Sequence, residues 1–145
     1  MDLFLIDGIG PFFRHHPRIR ANWSKIPFSY LEENGALPAL RWAQVQDDFA
    51  RFCDRVSRVG YNAITLDDVA HVMECKAYPD PLRRKLDAYR SEYRKLFATA
   101  RAHDLQVFLT TDILFYNETI ERKVGRSVND VTQFLRDGLD SVLRD

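Results

Sequence analysis

The sequence predicts an α/β protein made of parallel (β/α) units, a partial TIM barrel of about three such units. Three observations point there. Short apolar runs alternate with stretches long enough to be amphipathic helices, in the order β-α-β-α-β-α, which is the pattern of strands joined by helical crossovers. The runs are continuously apolar instead of alternating, as expected of strands buried on both faces of a parallel sheet. Each run also ends in a carboxylate, and parallel α/β folds bind their ligands at the carboxyl ends of their strands.

The elements follow in order. Residues 3–6 (LFLI) form the first strand, closed by the turn signal Asp7-Gly-Ile-Gly-Pro. Residues 11–45 have no clear period and are expected to be a long first βα loop carrying Arg14, His15, His16, Arg18, Arg20, Trp23, Tyr30 and Trp42. Loops of that length are functional or disordered, and the aromatic content argues against disorder. Phe49, Phe52, Cys53, Val56 and Val59 then mark one face of a helix that Gly60 stops. Residues 63–66 are the second strand and end at Asp67-Asp68. Pro79 and Pro81 restart the chain into a helix with Leu82, Leu86, Tyr89, Tyr93, Leu96, Phe97 and Ala100 on its apolar face, and Arg83, Arg84, Lys85 and Arg90 mostly elsewhere. Residues 105–109 (LQVFL) are the third strand, ending at Thr110-Thr111-Asp112. Ser127-Val-Asn-Asp130 is a capping box with aspartate in its last position, and it opens a helix carrying Val131, Phe134, Leu135, Leu139, Val142 and Leu143.

Bulk properties narrow the function. The 145 residues are expected to form a single domain, 1–145, and 46% apolar content suffices for a core. Lys plus Arg and Asp plus Glu both number 21, so no net charge draws the chain to nucleic acid. The N-terminus lacks the basic start and small-residue cleavage site of a signal peptide, and its apolar segment is too short to span a membrane. Cys53 falls on an apolar stripe and Cys75 in a loop, without CxxC spacing, so no zinc site is expected, and a reducing compartment is the simplest reading. A cytoplasmic location is the simplest expectation. Asn22 and Asn117 match the glycosylation pattern, which means little without a secretion signal. Three βα units fill the chain, whereas a closed barrel of eight needs about 250 residues. The chain is therefore expected to be the N-terminal portion of a larger barrel, with a small three-layer α/β domain as the alternative.

The candidate site gathers at the strand ends: Asp7 after the first, Asp67, Asp68 and His71 after the second, and Asp112, Tyr116 and Asn117 after the third. Carboxylates and amides that meet hydroxyls, beside aromatics that stack on a ring, suit a carbohydrate or another polar small molecule. Each residue also has a structural reading. An aspartate or asparagine after a strand often caps a helix or closes a turn. The basic cluster from Arg14 to Arg20 is either an anion clamp or a solvated loop. His15 and His16 read as solvated loop residues, and His103, at the opposite end of the third strand, as surface. Asp67 and Asp68 lack a third ligand at firm spacing, so no metal is assigned, and no cofactor is implied.

The stretch "YNAITLDDVAHV", followed by "YRSEYRKLFATARAHDLQVFLTTDILFYN", resembles the early part of glycoside hydrolase barrels, nearest to family 20 hexosaminidases and α-glucuronidases. The resemblance spans about residues 48–117 and rests on a helix ending in glycine, a strand starting Asn-Ala, polar residues at that strand's end, and the "VFLTTD" strand. It implies that the catalytic acid, and any base or nucleophile, follow the fourth strand or later ones, downstream of residue 145. No residue here is expected to be catalytic. Asp67, Asp68, His71 and Asp112 would contact sugar hydroxyls or orient catalytic groups. The function expected is a carbohydrate-active hydrolase fragment that contributes substrate-binding residues. The alternative is a small non-catalytic α/β module that binds a sugar or an anion. A third, weaker option is another barrel chemistry, an aldolase or a metal-dependent hydrolase; the lack of a strand-end lysine counts against Schiff-base chemistry within this segment.

Overall fold

A computed structural model describes residues 2–6, 31–110, 115 and 117–143. The candidates Asp7, Asp112 and Tyr116 lie outside these residues, as do Trp23, Tyr30 and the basic cluster from Arg14 to Arg20. The described part is α/β, with a three-stranded parallel sheet and four helices. The order is β1 (Leu5–Ile6), α1 (Ala39–Arg58), β2 (Ala63–Asp67), a 3-10 turn (Val69–His71), α2 (Asp80–Ala102), β3 (Gln106–Thr110), α3 (Glu118–Val124) and α4 (Val128–Leu143). The strands lie side by side as β1-β2-β3.

α1 starts earlier than the sequence pattern suggested, because residues 39–45 are helix and not loop. Its buried face is Trp42, Val45, Phe49, Cys53 and Val56, a stripe at helical spacing that begins seven residues before Phe49. Val59 lies past the end of the helix and is exposed. Just upstream, Asn34 and Gly35 take positive φ, and Glu33 and Ala36 exchange both backbone hydrogen bonds around them at 2.9 and 3.0 Å. Asn-Gly is the pair that such a two-residue turn favours. Trp42 Nε1 donates to the Leu31 carbonyl at 3.1 Å and so ties this turn to α1.

Gly60, at φ +97°, turns the chain from α1 into β2. Asn62 then holds the start of the sheet. Its side chain accepts from the Phe4 N–H and donates to the Asp2 carbonyl, both at 2.8 Å. The register runs Leu5–Ala63–Gln106 and Ile6–Ile64–Val107 across all three strands, then Thr65–Phe108, Leu66–Leu109 and Asp67–Thr110 across two.

This register sorts the sheet into two unlike faces, since successive side chains alternate. Ile64 and Leu66, with the partly buried Ile6, Val107 and Leu109, pack against the buried stripes of α1 and α2 in one core. Leu5, Ala63, Thr65 and Phe108 occupy the other face and belong to neither hydrophobic cluster of the described residues. Burial on both faces therefore holds for β2, whose Ala63 to Leu66 are all buried, but not for β3, where Phe108 is 41% exposed. The reason is that α1 and α2 share one side of the sheet. A second cluster of Met73, Cys75, Tyr78, Leu86, Ile120 and Phe134 joins the segment after the 3-10 turn to α3 and α4.

The short α3 had no counterpart in the sequence pattern, because seven residues offer fewer than two apolar repeats. Ser127 opens α4 with the first half of the capping box, its hydroxyl accepting from the Asp130 N–H at 3.1 Å; the Asp130 carboxylate reaches back to the Ser127 hydroxyl, which donates to it at 2.6 Å.

Candidate functional site

The site is built where β2 ends. Asp67 is the last residue of the strand and shares the side of Thr65 and Phe108, away from the helices. Its carboxylate Oδ1 accepts from Thr110 Oγ1 at 2.9 Å, a pairing between the last two residues in register. Its backbone carbonyl accepts from the Tyr93 hydroxyl, which reaches up from the buried face of α2. The peptide bond between Asp67 and Asp68 is cis.

Asp68 serves a different set of partners. It is 5% exposed and caps the 3-10 turn by accepting from the His71 N–H at 3.2 Å. The same Oδ1 faces His71 Nδ1 at 2.5 Å. A carboxylate so placed makes Nδ1 the protonated nitrogen and fixes the direction of Nε2. The His71 ring is 4% exposed, edge-on to Tyr89 at 4.7 Å and to Phe115 at 5.0 Å between centroids. Asp68 and His71 thus form an oriented carboxylate–imidazole pair inside an aromatic sleeve, directly behind the strand end that carries Asp67.

The surrounding tyrosines keep their protons. Burial raises the Tyr93 hydroxyl well above its ordinary range, and the carboxylates of Asp68 and Asp67 add to the effect. Burial likewise raises Tyr89, helped by the hydrogen bond from its hydroxyl to Glu32 Oε1 at 2.8 Å. Glu32 also meets Lys85 Nζ at 3.1 Å, so the segment before α1 is fastened to α2 beside the sleeve. Tyr78 is pushed up to about 12 by burial, and its hydroxyl accepts from the Phe115 N–H at 3.0 Å.

Of the residues singled out in the sequence, Asp68 and His71 pair here, while Asp67, next to Asp68 in the chain, turns to Thr110. Asn117 is engaged elsewhere: its Oδ1 caps α3 by accepting from the N–H groups of Thr119 and Ile120 at 3.0 and 3.1 Å. His103 caps the far end of α2. Tyr93 escaped notice because its place on an apolar helical stripe hides the reach of its hydroxyl.

No protein-family model, no curated protein and no solved structure matches this chain.

The site's chemistry is therefore read from its own geometry. Among the described residues, no three His, Cys, Asp or Glu side chains gather to hold a metal ion, and no helix is long and apolar enough to cross a membrane. What the arrangement offers is one carboxylate fixed at a strand end by a neighbouring hydroxyl, backed by a buried, oriented acid–imidazole pair. The first can accept hydrogen bonds from a hydroxylated ligand. The second can shape the wall behind it.

Proposed function

We propose that this chain supplies the substrate-binding side of a carbohydrate-active, glycosidase-like (β/α) barrel, with Asp67 as its hydroxyl-binding carboxylate. The observation that carries this reading is the position of Asp67: at the carboxyl end of the middle parallel strand, paired with Thr110 on the side of the sheet away from α1 and α2. Consecutive parallel strands in the order β1-β2-β3, with both crossover helices on one side, are what successive strands of such a barrel look like. The resemblance of residues 48–117 to glycoside hydrolase barrels points the same way.

Hydrolysis needs two carboxyl groups set apart across the scissile bond. Asp67 and Asp68 do not fit that role, since one turns to Thr110 and the other to the buried His71. The reading therefore gives Asp67 a binding role and makes the Asp67–Asp68 pair neither acid nor base.

The test is saturation-transfer NMR of the protein with a panel of methyl glycosides and short oligosaccharides, followed by Asp67→Asn. The variant should bind the best saccharide roughly tenfold more weakly, the effect of losing one charge-assisted hydrogen bond, at an unchanged melting temperature. Equal affinity in the two proteins would remove Asp67 from the site. The second reading, a small non-catalytic sugar-binding α/β module, is favoured by the near-complete burial of the acid–imidazole pair. Saccharide binding by a native protein that hydrolyses no member of a broad glycoside panel would select it.

A further inference from the structure

We infer that Thr110 and Tyr93 are positioning residues that set the Asp67 carboxylate before a ligand arrives; this rests on the reading of Asp67 as a hydroxyl-binding group. Two hydroxyls from two different elements converge on this one residue. Thr110, the last residue of β3, donates to carboxylate Oδ1 at 2.9 Å. Tyr93, in the middle of α2, donates to the backbone carbonyl of the same residue. The first fixes where the carboxylate points, and the second fixes the backbone that carries it. Tyr93 itself cannot wander: it is fully buried, sits in the main core, and meets Phe97 edge-on at 5.9 Å. Its proton is secure as well, since burial disfavours the phenolate.

A side chain already held in its binding orientation loses little further freedom when a ligand arrives, and that saving appears as affinity. A carboxylate at a strand end that was free to rotate would give part of each hydrogen bond back as lost entropy. The pairing has a plainer competing account, because side chains directly opposite in a sheet stabilise it whatever their function. The two accounts differ in what a lost hydroxyl does.

Thr110→Val removes the hydroxyl and keeps the volume and β-branching, whereas Thr110→Ser keeps the hydroxyl. The probe is the tightest-binding saccharide of the panel above, titrated by calorimetry into each protein, with melting temperature recorded alongside. Thr110→Val should weaken binding roughly tenfold, Thr110→Ser should bind within about twofold of the parent, and the melting temperatures should stay close together. Tyr93→Phe should weaken binding in the same direction. If Thr110→Val binds like the parent and only melts earlier, the threonine is a sheet contact and the inference falls, while a loss of affinity in Asp67→Asn would keep the reading of Asp67 alive. Should Asp67→Asn bind like the parent, or no saccharide bind at all, the reading falls and the inference with it.

Discussion

Asp68 and His71 carry the sharpest residue-level prediction. Both are nearly sealed from water and each is the other's polar partner. Removing one leaves the other buried without its pair, which typically costs about 3–5 kcal/mol. Asp68→Ala should lose about that much in urea unfolding, and Asp68→Ala with His71→Leu should recover part of it, since the double replacement removes the buried imidazole that the single one leaves without its carboxylate. Alkaline pH gives a second prediction. Cys53 is pushed by burial from an ordinary 9.0 up to about 12, and Tyr89 and Tyr93 are also raised. Between the ordinary and the raised values the unfolded chain has released its protons and the folded chain has not, so rising pH favours unfolding. Stability should fall from about pH 9 upward, read as the urea midpoint against pH. A midpoint that holds to pH 11 would contradict the assignment. At this scale the sequence was partly legible. Asp67, Asp68 and His71 stood out because adjacent carboxylates after an apolar run are unusual; of the three, Asp68 and His71 pair, and Asp67 turns to Thr110 instead. Thr110 stood out only as a strand end. Tyr93 was invisible because an amphipathic pattern records which side chains turn inward and not what their polar tips touch.

At the level of elements, caps and glycines decide where helices start and how closely they approach. Asn117→Ala should cost about 1 kcal/mol through loss of the α3 cap, seen as a lower melting temperature with saccharide binding unchanged. Gly138, within α4, lies against buried Met73: a Cβ there would sit 2.1 Å from the methionine sulfur. Alanine normally gains about 1 kcal/mol over glycine in a helix, but overpacking a buried contact costs about 1–3 kcal/mol. Gly138→Ala should therefore destabilise by about 1 kcal/mol, and pairing it with Met73→Ala should remove that clash; a stabilised single variant would show that Met73 moves aside easily. Element existence was readable wherever an apolar stripe ran three turns or more, as in α1, α2 and α4. The N-terminal half of α1 was missed because Trp42 and Val45 sit among Arg41, Gln44, Gln46, Asp47 and Asp48, which dilute the local pattern. Asn34-Gly35 and Pro38, which do mark the turn and the helix start, are single-residue signals and not periodic ones.

For the whole molecule, the parallel order of the three strands followed from the alternation of strand and helix, but the inequality of the sheet's two faces did not. A continuous apolar run such as residues 63–66 says that both faces are covered without saying by what, and the same logic misjudged β3. The consequence is directional. Leu66→Ala, on the face packed against α1 and α2, should cost about 2–5 kcal/mol and lower the single cooperative transition seen by circular dichroism. Phe108→Ser, two fifths exposed on the other face, should cost far less. Equal losses would mean that the second face is as tightly packed as the first.

One feature of β2 reaches furthest. Asp67 and Asp68 are joined by a single peptide bond, yet one looks outward to Thr110 and the other inward to His71. Their evolutionary histories should diverge accordingly. Under the proposed binding role, position 67 should vary toward asparagine, glutamate or histidine as the ligand changes, since its carboxylate lies on the face of the sheet away from the main core. Position 68 is answerable to the interior and should tolerate almost nothing. A lineage could thus retune what it recognises by altering one letter of the pair, with the other standing guard over the architecture.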